Sequence, residues 1–177
     1  MTETSTAHTD FVARMEPHRA MLYKVAYTYC RDAETRRDLV QEMLVQLWRA
    51  YPRFDPQRDV KFSTWMYRIA MNVAISGFRD DTRRRDEVPM DELVLEIEPA
   101  LLADEALSDN LRILKQLMDE LDELNRALLL MFLEGHDAIE IADVLGISAS
   151  NVTTRLTRLK QKLTARFAEI EREGVTT

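Results

Sequence analysis

Between two apolar stripes of helical period stands a lone glycine, Gly146, and this arrangement reads as two helices joined by a tight turn. Ile139, Ala142 and Val144/Leu145 recur at helical spacing behind Asp137, a residue type that caps helix N-termini. Gly146 then ends that helix in the left-handed conformation that glycine adopts cheaply. Ser148 is placed to cap a second helix, on which Val152, Leu156, Leu159 and Leu163 form one apolar stripe. The intervening Thr153, Thr154, Arg155, Thr157, Arg158, Lys160 and Lys162 make its solvent face hydroxyl-rich and cationic. A helix with such a face can enter a major groove, hydroxyls and guanidiniums reaching base edges and phosphates. A helical hairpin with a merely solvated basic face is the bland alternative. Residues 151–166 hold five Lys/Arg and no acid in a chain of net charge −7, and that segregation favours duplex DNA as the partner.

The rest of the chain is also expected to be helical. Only four glycines and five prolines leave little room for sheet turns, while 46% apolar residues support a packed core. The fold class is therefore all-α, and 177 residues suffice for two small domains. Cys30 has no partner for an intrachain disulfide, which points to a reducing compartment. His8, His18 and His136 are scattered, so no metal site and no cofactor are expected. The N-terminus lacks a basic start and an apolar run, and no stretch reaches the ~18 apolar residues of a membrane span, so the chain reads as cytoplasmic, with no membrane partner.

Residues 1–9 are polar and are expected to fray. A helix is predicted from Phe11 to about Cys30, with Met15, Leu22 and Val25/Ala26 inward. Residues 35–51 carry the cleanest 3.6-residue pattern: Leu39, Val40, Met43, Leu44, Leu47, Trp48 and Tyr51. Pro52 and Pro56 interrupt it, and a third long helix runs from about Ser63 to Arg79 with Ser63 or Thr64 as its cap. Residues 86–109 contain nine Asp/Glu and no Lys/Arg and read as an acidic linker. Leu111, Leu114, Leu117/Met118 and Leu121 open a second helical unit, followed by a helix over Asn125–Glu134 that Gly135 stops.

Two further groups carry chemistry. Asp38 and Glu42 lie one turn apart beside Gln41, an arrangement that slightly weakens its own helix and suits a basic docking partner. In the segment 61–72, Phe62, Trp65 and Tyr67 cannot all face one core, because Trp65 and Tyr67 are about 200° apart on a helix. Some aromatic surface should therefore be exposed among Lys61, Arg68 and Asn72. Aromatic faces for stacking, cations for phosphates and an amide for a base edge are what unpaired bases require. Arg79 and the run Arg83-Arg84-Arg85 extend the basic character. No nucleophile motif and no Gly-rich phosphate loop occurs, so the chain reads as a binding protein and not an enzyme.

In this order the features resemble the bacterial sigma factors of the extracytoplasmic-function (ECF) group, over roughly residues 11–170. DLVQEMLVQLWRAYPRFD (38–55) is similar to that family's region 2.2, FSTWMYRIAMNVAI (62–75) to regions 2.3 and 2.4, and LLLMFLEGHDAIEIADVLGISASNVTTRLTRLKQKL (128–163) to region 4. The resemblance implies a sigma region 2 domain over 10–85, a linker over 86–109 and a sigma region 4 domain over 110–172, behind a disordered 1–9. It implies core RNA polymerase as partner, through the β′ clamp and the β subunit. Asp38, Gln41 and Glu42 would bind the clamp, with Leu47 and Trp48 as apolar support. Lys61, Phe62, Trp65, Tyr67, Arg68, Asn72 and Arg79 would hold and melt the promoter −10 element, with a pocket for a flipped base formed by Asn72 and the loop 54–63. Ser150, Thr153, Thr154, Arg155, Thr157, Arg158 and Lys162 would read the −35 element. The acidic linker would thread the basic RNA-exit path, and an anti-sigma protein is a further partner of the family. Thr153 and Thr157 stand where relatives often carry basic or larger residues, Asp80 and Asp81 interrupt the basic run, and Leu121–Asn125 lacks the usual proline. A helical interaction module that uses 35–51 to sequester a protein is one rival reading, and the main rival is a helix-turn-helix regulator that binds DNA without polymerase. It leaves the acidic pair and the aromatic segment unexplained.

Overall fold

The computed structural model describes residues 2–58, 60–76 and 109–174, and the chain divides into two compact units, Met1–Ala103 and Asp104–Thr177. The acidic linker and the cations at Arg79 and Arg83–Arg85 lie outside the described residues. The described elements are helical throughout, and no described helix is long and apolar enough to cross a membrane.

The first unit contains α1 (Thr2–Met15), α2 (Arg19–Tyr29), α3 (Ala33–Ala50) and α4 (Phe62–Ser76). The single helix expected over 11–30 is two helices separated by a 3₁₀ turn at Glu16–His18. Pro17 explains the break, since it lacks an N–H and its ring collides with the carbonyl four residues back. Residues 2–9, expected to fray, belong to α1 instead. Its anchor is a stripe at i, i+3 and i+7. Phe11 and Met15 are fully buried, and the His8 ring meets Trp48 edge-on at 5.7 Å. The stripe is hard to see in the sequence because a histidine forms one third of it. α4 begins at Phe62, so Ser63 and Thr64 are inside its first turn and do not cap it. The Lys61 carbonyl takes the first helical bond, from Trp65 N at 3.1 Å. Leu22, Val25, Met43, Leu47, Met66 and Met71 fill the core between α2, α3 and α4.

The second unit contains α5 (Asp109–Asp119), α6 (Glu123–Leu133), α7 (Ala138–Leu145) and α8 (Ala149–Gly174). Leu128, Met131, Ile141 and Val152 are its most deeply buried large side chains. The inward face of α7 differs from the expected one. Ile139 is 73% exposed, whereas Ile141 is fully buried with Val144. Asp137 sets this phase: its side chain accepts from Ile139 N and Glu140 N, both at 2.9 Å, and Glu140 answers from the third helical position in a capping box. Ile139 therefore sits in the first turn and faces away from α6.

Both units turn a helical corner with the same local device. Asp32 caps α3 by accepting from Thr35 N (2.8 Å) and Thr35 Oγ1 (2.6 Å). One residue on, Arg36 folds back beneath the corner. It is 1% exposed, donates to the carbonyls of Cys30 (3.2 Å) and Arg31 (2.7 Å), and lies 4.3 Å from the Tyr27 ring centroid. Asp122 caps α6 in the same way, accepting from Asn125 N (2.9 Å) and Asn125 Nδ2 (2.6 Å). Arg126 then donates to the carbonyls of Met118 (3.1 Å) and Leu121 (3.0 Å). Each arginine donates to carbonyls at the C-terminal end of the preceding helix, where a cation is also favoured by the helix dipole.

Candidate nucleic-acid and protein interfaces

On α3, Asp38 and Glu42 are exposed and Gln41 is half-buried, so the acidic pair faces solvent. Gln46 Nε2 donates to Glu42 Oε1 at 2.7 Å, which orders one carboxylate of the pair. The two apolar residues named with this patch point elsewhere. Leu47 is fully buried, and half-buried Trp48 packs on Phe11 of α1 with ring centroids 5.2 Å apart. They can hold α3 in place, but Leu47 cannot touch a partner.

On α4 the residues separate by helical phase. Lys61, Trp65, Arg68 and Asn72 follow each other at i, i+4, i+7 and i+11, a single stripe carrying a cation, an indole, a guanidinium and an amide. Lys61 and Asn72 are exposed, while Trp65 and Arg68 are half-buried. Tyr67 falls on the opposite face and is 5% exposed, which corrects its expected place on the surface. It belongs to the packing between α4 and its neighbours, because position 67 shares the inward phase of Ala70, Met71 and Ala74.

The exposed aromatic surface comes from further afield than α4. Phe62 stacks on Trp65 at 5.3 Å, and Phe54, from the loop after α3, stands 5.1 Å from both rings. Tyr51 contacts Phe54, Phe62 and Trp65 at 6.3–6.4 Å, and Phe11 of α1 at 5.1 Å. Phe54 lies at the start of the loop expected to form the base pocket, whereas Tyr51 was expected only as part of the apolar stripe of the preceding helix. Their spacing across Pro52 was the available signal: two aromatics three apart in a turn are seldom there for helix periodicity. The Tyr51 hydroxyl donates to the Asp10 carboxylate, to which Arg14 Nε also donates at 3.1 Å. The hydrogen bonds from Tyr51 and then Arg14 hold the Asp10 carboxyl below the ordinary aspartate range, and burial first, then Asp10, pushes the Tyr51 phenol up. Ala7, Trp48, Pro52 and Pro56 complete a shallow cleft around this cluster.

In the second unit the helix pair 137–163 is built as its residues require. Gly146 has φ +68° and ends α7, and Ser148 Oγ accepts from Asn151 N at 3.2 Å to cap α8. Val152, Leu156 and Leu159 are buried under α8. Ser150, Thr153, Thr154, Thr157, Arg158 and Lys162 are all exposed, and Arg155 is half-buried with its Nε donating to Asn151 Oδ1 at 2.9 Å. The five cations of 151–166 are not equivalent. Lys160 Nζ sits 4.2 Å over the Phe132 ring, and Arg166 pairs with Glu120 (3.2 Å) and Glu169 (3.0 Å), whose hydrogen bonds raise its already high pKa. Arg158 and Lys162 remain as the cations least committed to the unit's own surface, and both flank the threonines.

Known proteins match this chain in the same two blocks. The sigma-70 region 2 family model matches residues 15–84, and the sigma-70 region 4 model matches residues 111–163. The chain is 23% identical over 173 residues to the ECF RNA polymerase sigma factor SigW of Bacillus subtilis (strain 168), covering 90% of each. Among solved structures, the sigma factor RpoE in complex with the anti-sigma factor NepR from Bartonella quintana superposes with a TM-score of 0.66 at 19% identity, over 88% of this chain and 95% of that one. CnrH, solved in complex with the cytosolic domain of CnrY, gives a TM-score of 0.63 at 25% identity over 93% of this chain and 94% of its own. With both sigma-70 regions present in order on two helical units, the chain belongs to the sigma-70 factors of RNA polymerase, in the ECF group.

Proposed function

We propose that this sigma factor, which binds core RNA polymerase and directs promoter-specific initiation, does so through three surfaces. The acidic outer face of α3 (Asp38, Gln41, Glu42) docks on a basic polymerase surface. The α4 stripe holds unpaired bases of the −10 element. The outward face of α8 reads the −35 element in duplex form. The observation that carries this reading is the α4 stripe, where Lys61, Trp65, Arg68 and Asn72 share one phase while Tyr67 is removed to the core. Stacking, phosphate neutralisation and amide hydrogen bonding are thereby available along one line, as a single strand requires. The protein works in the cytoplasm, where polymerase and promoter DNA are. The NepR complex of the Bartonella quintana factor supports an anti-sigma protein as a further partner.

The test is promoter opening by holoenzyme, read as permanganate reactivity of −10 thymines. Asn72→Ala and Lys61→Ala should each reduce reactivity while leaving core binding intact. Wild-type opening in both would remove α4 from the melting step.

A further inference from the structure

The three threonines on α8 have already spent their protons. Thr153 Oγ1 donates to the Ala149 carbonyl at 3.0 Å, Thr154 Oγ1 to Ser150 at 2.9 Å, and Thr157 Oγ1 to Thr153 at 2.9 Å. A hydroxyl has one proton to donate, and threonine in a helix is held in this state by the bond to the carbonyl four residues back. To donate to the acceptors of a base pair, guanine N7 and O6 or thymine O4, each of the three must therefore give up its bond within the helix. Each retains a γ-methyl group and an oxygen lone pair. The amide beside them is similarly engaged, because Asn151 Oδ1 accepts from Arg155 Nε at 2.9 Å, and a bidentate amide–adenine pair needs that oxygen.

The major groove edge that matches a methyl and an acceptor is an A·T pair. Thymine supplies the C5-methyl, the apolar feature of that groove, and adenine N6 supplies a donor. A G·C pair supplies a donor at cytosine N4 but no methyl. Thr153 and Thr157 lie one turn apart on one exposed face, with Thr154 alongside, so the methyls form a patch spanning more than one base step. We propose that Thr153, Thr154 and Thr157 select the upstream element by apolar contact of their γ-methyls with thymine methyls, and that Arg158 supplies the donors the threonines lack. The inference rests on α8 being the −35 reader and names the chemistry it reads.

The experiment uses holoenzyme and duplex promoters selected from a randomised upstream element. Selected elements should be rich in A·T pairs opposite the threonines. Replacing those thymines one at a time with deoxyuridine, which lacks only the methyl, should weaken binding about three- to fourfold each, the value of one buried carbon. The Thr→Val variants, which keep the methyl and lose the hydroxyl, should preserve thymine-over-uracil discrimination. The Thr→Ser variants, which keep the hydroxyl and lose the methyl, should abolish it. Equal binding of thymine and uracil elements overturns the proposal, as does discrimination kept by serine and lost by valine. If instead the selected element is unchanged by Thr→Ala at all three positions and by Arg158→Ala, α8 is not the reader, and the assignment beneath the proposal fails with it.

Discussion

The two units of this sigma factor share a corner and differ in how they build a surface. Asp32–Thr35–Arg36 and Asp122–Asn125–Arg126 repeat the same spacing, with a capping aspartate, a side chain that seconds the cap, and an arginine donating to carbonyls behind it. Beyond the corner the two diverge. The second unit presents its exposed polar face from the single helix α8. The first assembles an aromatic cluster from α1, the end of α3, the loop after it and α4: Tyr51, Phe54, Phe62 and Trp65 are in mutual ring contact, and fully buried Phe11 packs against Tyr51. A surface carried by one helix can change its chemistry without changing the fold. A surface made of rings from four segments cannot, because the same contacts hold those segments together.

The largest effects should come from the shared corner. Removing Arg36 deletes its charge-assisted hydrogen bonds to the Cys30 and Arg31 carbonyls, at about 1–3 kcal/mol each, so Arg36→Ala should destabilise its unit by about 2–5 kcal/mol. Arg126 is only half-buried, and Arg126→Ala should cost about 1–3 kcal/mol on the same grounds. The two tryptophans, Trp48 and Trp65, both belong to the first unit, so denaturant titration followed by tryptophan fluorescence isolates the Arg36 effect. An unchanged fluorescence midpoint in Arg36→Ala would show that the corner is not held by its arginine.

The contrast between surfaces predicts a difference in kind. Trp65→Ala should impair promoter opening by about 1–3 kcal/mol per base it stacks and also lower the fluorescence-free unfolding midpoint, read by far-UV circular dichroism, because Phe54 and Phe62 lose a partner. Arg158→Ala should reduce −35 binding by about 1–3 kcal/mol if it grips a guanine, with the thermal midpoint unmoved. Should Trp65→Ala impair opening without any loss of stability, the comparison is wrong, and α4 carries its chemistry as independently as α8.

A smaller effect is expected at α3. Exposed charge pairs contribute about 0.2–1 kcal/mol each, so reversing Asp38 and Glu42 together should weaken core polymerase binding roughly two- to thirtyfold, more at low salt than at high. Binding that is equal at every salt concentration would exclude this face from docking.

The smallest concerns Asp10. Its carboxyl is held below the ordinary range by Tyr51 and Arg14. A lowered folded-state pKa stabilises the fold above the unfolded value and loses that contribution as pH falls through the folded one. Tyr51→Phe should therefore narrow the difference in stability between neutral pH and the acid range below the ordinary aspartate pKa. The same acid sensitivity in wild type and Tyr51→Phe would mean that the bond does not hold α1 to the aromatic cluster.

Much of this molecule could be read before any coordinates. The pair α7–α8 was legible to the residue at Asp137, Gly146 and Ser148, because caps and a left-handed glycine are properties of four or five consecutive residues. The buried stripe of α8 and the inward face of α3 followed from period alone. The break at Pro17 was equally local, yet a strong flanking pattern concealed it. On α7 Val144 was placed inward correctly, but the inward residue before it was misplaced by two, since Ile139 and Ile141 are chemically alike and only packing against the rest of the unit distinguishes them.

What tertiary structure alone decided is which side chains are spent internally. In sequence Tyr67 is another aromatic near Trp65, Lys160 and Arg166 are two more cations beside Arg158, and the hydroxyls of Thr153, Thr154 and Thr157 are free donors. In the folded chain Tyr67 is core, Lys160 covers Phe132, Arg166 is tied to Glu120, and each of those hydroxyls bonds a carbonyl of its own helix. Sequence specified the residue types available to each surface, because helical period and capping act over a few neighbouring residues. Their availability depended on partners up to 46 positions away, as between Glu120 and Arg166, and such contacts exist only once burial has brought distant segments together.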